Sequence, residues 1–120
     1  MNTRGEDRLR RHLLFTEDGT GGLWTTESGE PIGAPMVHDS IPQSAEFSHD
    51  GSRILTTAVG NSARVWNADT GEPLEPTIAS PVRIRGACFS PDGRTIAVAN
   101  DNRTAYIADT NDLTIRRMDI

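Results

Sequence analysis

Laid against itself at an offset of 42 residues, the chain matches without a gap. Trp24 falls on Trp66, the stretch Gly29-Glu30-Pro31 falls on Gly71-Glu72-Pro73, and Phe47-Ser48-His49-Asp50-Gly51 falls on Phe89-Ser90-Pro91-Asp92-Gly93. Ala45 meets Ala87, Ile54 meets Ile96 and Ala63 meets Ala105 in the same register. A repeat of this length means one supersecondary unit used several times, each copy burying its apolar face against the next.

Each unit carries strand grammar. The runs 53–57 and 95–99 are short, apolar and bounded by Asp-Gly or Gly-Asn, residues that accept a positive φ at low cost. Residues 62–68 (SARVWNA) alternate as a half-buried strand does. The seven prolines fall in or near the connectors, where a missing N–H is tolerated. No segment sustains the three-and-four spacing of an amphipathic helix. The reading is short strand, Asp-Gly hairpin, strand, turn, Trp-bearing strand, Asx-Thr-Gly turn and outer strand. Four antiparallel strands in about 42 residues is the size of a propeller blade.

On FSHDG and FSPDG at the hairpins, ARVWNADTGEPL at 63–74 and GLWTTESGEPIG at 22–33, the chain resembles WD40 repeats of the bacterial array type. The fold expected is all-β: about three four-stranded antiparallel WD40-like β-propeller blades, incomplete as a monomer. Residues 1–11 read as a degenerate leader, 12–40 as a partial blade, and 41–82 and 83–120 as blades. The leader occupies an inner-strand slot yet lacks the Phe-Ser-x-Asp-Gly pattern. Phe47 and Phe89 are expected in the core, and Trp66→Ala is expected to be mild because Ala108 stands at the matching position.

The resemblance also implies a buried polar set in each blade: a His before the inner strand, a Ser or Thr on the second strand, an Asp in the next turn, and the Trp. Carried over by position, this gives His38, Thr56 and Trp66 in the middle unit, with Gly60 in place of the Asp, and Asp18 and Trp24 in the first. The last unit has Ser80, Val98, Asn102 and Ala108 at those places, so its set is lost.

A net charge of −5 opposes binding to nucleic acid or an anionic membrane, both of which reward clustered Lys and Arg. No apolar run approaches the roughly 20 residues of a membrane span. The lone Cys88 excludes an intrachain disulfide and fits a reducing, cytoplasmic setting. Beside Phe89 on a strand, Cys88 reads as a buried small hydrophobe. His12, His38 and His49 sit at different places in their units, so neither a metal site nor a triad is expected. The turn carboxylates read as backbone caps, and no catalytic residue, cofactor or metal ligand is expected.

The resemblance implies a non-catalytic protein-interaction scaffold, completed by self-association (a homo-oligomer) or by docking on further blades of a partner chain. The alternative is a regulatory or sensor portion of a larger signalling enzyme. The candidate interaction face comprises Arg83, Arg85, Asp39, Asn61 and Asn102, within loops 36–43, 78–85, 17–21, 59–62 and 101–104.

Overall fold

A computed structural model describes residues 3–6, 11–15, 20–25, 28–37, 42–59, 61–74, 78–80, 82–111 and 114–119. Among these residues the secondary structure is strand and turn, with no helix. The first blade holds β1 (Thr3–Glu6), β2 (Arg11–Phe15), β3 (Thr20–Thr25) and β4 (Pro31–Val37). The second holds β5 (Pro42–Phe47), β6 (Arg53–Ala58), β7 (Ser62–Asn67) and the two-residue β8 (Ile78–Ala79). The third holds β9 (Ile84–Phe89), β10 (Thr95–Asn100), β11 (Thr104–Asp109) and β12 (Ile115–Asp119). Each set forms one antiparallel four-stranded sheet in simple chain order.

One expectation needs correcting at the start of the chain. The first unit, read as a partial blade behind a degenerate leader, is a four-stranded sheet: Thr3 pairs with Phe15 and Glu6 with His12, without the Phe-Ser-x-Asp-Gly motif.

The motif itself explains the hairpins of the other two blades. In the second, the Ser48 hydroxyl donates to Asp50 Oδ1 at 2.8 Å and accepts from the Arg53 amide at 3.0 Å. Gly51 takes φ 77°. Ser90, Asp92, Gly93 and Thr95 repeat the arrangement in the third blade. The Asx-Thr-Gly turns are equally regular. The Asn67 side-chain carbonyl accepts the amides of Asp69 and Thr70, and the Gly71 amide returns to the Asn67 carbonyl at 2.8 Å. At 25–30 the Gly29 amide donates to the Thr25 carbonyl and the Thr25 amide to the Glu30 carbonyl, the same turn one repeat earlier.

Alternation along each strand sends one side chain forward and the next back, so a middle blade is apolar on both faces. From the second blade, Ile54, Trp66, Ala45 and Phe47 face the first, where Leu13, Leu23 and Met36 meet them. Leu55, Ala63, Val65 and Ile78 face the third, against Ile84, Ile96, Val98 and Ala108. The repeat offset carries Leu13 to Leu55 to Ala97, and Leu23 to Val65 to Ile107. Ala97 and Ile107 thus form the back face of the third blade, which no described element covers, and both are only half-buried. Beside them lie the small residues Gly86, Cys88, Ala99 and Ala105.

Three further corrections concern single side chains. Cys88 is exposed on that uncovered face. Phe47 and Phe89 are half-buried and pack against the edges of the two cores, outside their centres. Trp66 is 1% exposed and is the largest fully buried side chain, whereas its repeat mate Trp24 is half-buried on the open front of the first blade. Gly33 (φ 68°) lies close against the backbone of the second blade. A Cβ there would sit 2.0 Å from the Thr70 carbonyl oxygen, with backbone on the receiving side.

Removing Trp66 empties the middle of a junction, so Trp66→Ala costs about 3–5 kcal/mol in denaturant unfolding, in place of the mild effect expected from Ala108. Gly33→Ala separates the first two blades at a cost of about 1–3 kcal/mol from overpacking alone, seen as faster hydrogen exchange in β3 and β4 than in β10 and β11.

Candidate interaction site between adjacent blades

The inner strands β5 and β9 lie in neighbouring blades, and each breaks register once. Pro42 pairs with Ala58 and Ser44 with Thr57, which leaves Gln43 as an extra residue in β5. Gly86 pairs with Ala99 and Ile84 with Asn100, which leaves Arg85 extra in β9. Gln43 and Arg85 are one repeat apart, so the two bulges stand side by side. A bulge frees its residue from the ladder and re-aims the side chain.

Both bulge residues open into a cleft of about 290 Å³ whose lining includes Ser44, Thr57, Arg83 and Ile84. It runs into a second cleft, of about 320 Å³, where Gln43, Arg83 and Ile84 continue and Val59 and Asn61 are added. Three of the five residues of the expected interaction face, Arg83, Arg85 and Asn61, are thus brought together. Asn61 holds φ 70° in the β6–β7 turn and accepts the Ser80 amide on its carbonyl, fixing the rim. Asn102 lies in the next turn along, accepting from the Thr104 hydroxyl, and lines neither cleft. Asp39 lies outside the described residues.

Of the expected polar set, one pair is realised: the Trp66 indole N–H donates to Thr56 Oγ1 at 2.9 Å inside the first junction. His38 and Asp18 lie outside the described residues. Trp24 has no polar partner among them. The third blade replaces the lost set with one that the repeat does not forecast. The Asn100 amide donates to Thr104 Oγ1, which donates to Asn102, and Asn100 Oδ1 stays buried without a partner. Its signal was the pair Asn100 and Thr104 four residues apart, which reads as an ordinary turn.

At the opposite end of the blades, the two Phe-Ser-x-Asp-Gly turns border a third cleft. There Glu46 reaches across the junction and accepts the Phe89 amide at 3.0 Å. Among the described residues no cluster of His, Cys, Asp and Glu could hold a metal ion. Among the described residues no helix is long and apolar enough to cross a membrane.

Comparison with known proteins divides the chain. The WD domain, G-beta repeat family matches residues 76–109, the β9–β11 region with its approach. The phenazine biosynthesis protein A/B family matches residues 1–52, and neither match reaches half of the chain. Phenazine biosynthesis protein PhzB1 of Pseudomonas aeruginosa is 75% identical over 32 residues, 27% of this chain and 20% of its own length. PhzA2 of the same species is 51% identical over 47 residues, 39% of this chain and 28% of its own. Human apoptotic protease-activating factor 1 is 27% identical over 92 residues, 77% of this chain and 7% of its own. The chain therefore covers about a fifth of the length of PhzB1 and 28% of that of PhzA2. A 92-residue match within 120 residues must include 29–52, so that stretch is shared by both likenesses. The reading of the sequence missed the phenazine-protein likeness because it looked for a repeat and found one running through the same residues.

The Asp50 carboxylate is held down from 3.8 to about 2, first by the Ser52 amide, then by the hydroxyls of Ser52 and Ser48. Asp92 is lowered too, by the Ser90 hydroxyl and the Arg94 amide. A lowered carboxylate stabilises the fold above its unfolded value and loses that contribution as pH falls through the folded one. Stability is therefore expected to drop between pH 3.8 and about 2, and Asp50→Asn to flatten that part of the acid-unfolding curve.

Proposed function

We propose that the chain is a non-catalytic interaction module of the WD40 type, whose inter-blade clefts receive a protein partner. The observation that carries this is the pair of adjacent bulges at Gln43 and Arg85 opening into one cleft. The repeat likeness at 76–109 supports it. Completion by self-association, or by blades of a partner chain, belongs to the same reading, because Ala97 and Ile107 lie on an uncovered apolar face and such faces invite association. A cytoplasmic place is part of the proposal as well, and the lone exposed thiol of Cys88 suits a reducing compartment. The match to a small part of apoptotic protease-activating factor 1 supports a variant in which the module is the sensor portion of a larger signalling protein.

A second reading rests on a different observation. The 75% identity to PhzB1 within an N-terminal family match supports a role for residues 1–52 as a segment of a phenazine-biosynthesis-type protein. In that case the first blade has no need to dock, and Gly33→Ala leaves the assembly unchanged.

Absolute mass by light scattering, with circular dichroism, tests the leading reading. A discrete dimer or trimer with β-type dichroism is the expected result. A polydisperse or unfolded chain overturns it.

A further inference from the structure

Resting on that reading, we propose that the joined clefts between the second and third blades bind an extended peptide through an Asp or Glu side chain, seated on Arg83. Four observations converge on this ligand. Among the described residues that line the two clefts none is a carboxylate, on a chain whose net charge is −5. The Arg83 side chain is exposed and has no partner among the described residues, while its backbone carbonyl accepts the Asp101 amide. Its neighbour Arg85 is held by the Asp101 carboxylate, with both side chains open to solvent. Gln43 and Ile84 line both clefts where they join, and Asn61 and the 48%-exposed Val59 line the second.

Each part has a task. A guanidinium presents two parallel N–H donors that match one carboxylate, and this charge-assisted pairing is about twice as strong as a neutral hydrogen bond. Side-chain amides supply both a donor and an acceptor, as a peptide main chain requires. Ile84 and Val59 supply the apolar floor that a bare inorganic anion would leave unused. Arg85 is a reserve cation, because its surface ion pair with Asp101 is worth little and can be exchanged.

The probe is a fluorescein-labelled hexapeptide of alternating Glu and Gly, with a Gln-for-Glu counterpart, titrated by anisotropy into the full chain. The Glu peptide is expected to bind and the Gln peptide to bind about tenfold more weakly or worse, the worth of one charge-assisted pair. Arg83→Ala should lose a similar factor at unchanged mass and dichroism. Asp101→Asn should tighten binding by releasing Arg85. Rising salt should weaken it, since the pair is solvent-facing. A discrete β-rich assembly that binds both peptides alike, or whose Arg83→Ala variant binds as tightly as the parent, overturns this inference alone. An unfolded or polydisperse chain overturns the interaction-module reading with it.

Discussion

A sheet with apolar side chains on both faces has no stable place in water unless something covers each face. The second blade is such a sheet. Ile54 and Leu55 are consecutive residues of one strand, both fully buried, and they point into different cores. The same holds for Val65 and Trp66 one strand further on. Every larger feature follows from this: the neighbours on either side, the close approach at Gly33, and the clefts that open where two inner strands stand side by side. The hydrogen-bonded turns set the spacing of the strands, but burial between blades decides whether a blade exists.

The two likenesses of the chain meet within this continuous arrangement. The backbone bonds from Gly29 to Thr25 and from Thr25 to Glu30 repeat those from Gly71 to Asn67 and from Asn67 to Glu72, although the first pair lies inside the stretch matched by the phenazine family. A Gly at positive φ, followed by Glu-Pro leading into an outer strand, meets a common geometric need. Local turn chemistry therefore gives stretches with different likenesses the same local form. Trp24 and Trp66 illustrate the limit of that similarity. They share a repeat position, yet the first has an open side and the second is enclosed.

Much of the fold was legible because turns are local. Ser48, Asp50 and Gly51 act on each other within a few residues, so the pattern of letters and the pattern of hydrogen bonds coincide. The inner strand at Thr3–Glu6 was not legible, since pairing needs only backbone and leaves no motif. Cys88 was misplaced because alternation says which residues share a face but not whether that face is covered. The cleft was half legible: Arg83 and Arg85 were recognisable as candidates, but their convergence with Gln43 depends on two bulges, and a bulge is a matter of register between strands. The Asn100–Thr104 pair was hidden for the same reason that Trp66→Ala was misjudged. Equivalent positions in a repeat need not hold equivalent energies.

The two ends of the array differ in kind. The front of the first blade presents the half-buried Trp24, and the back of the third presents Ala97, Ile107 and small residues around them. The one end carries a large aromatic ring lying over Gly22 and the other only small residues and Ile107, so the two ends are not copies of each other. Under the proposed self-association, contact between copies would be head to tail, with a different patch contributed by each partner, ending only where the rotation closes a ring. A protein held together this way has a stability that rises with its own concentration. Dilution alone would act on it as a denaturant.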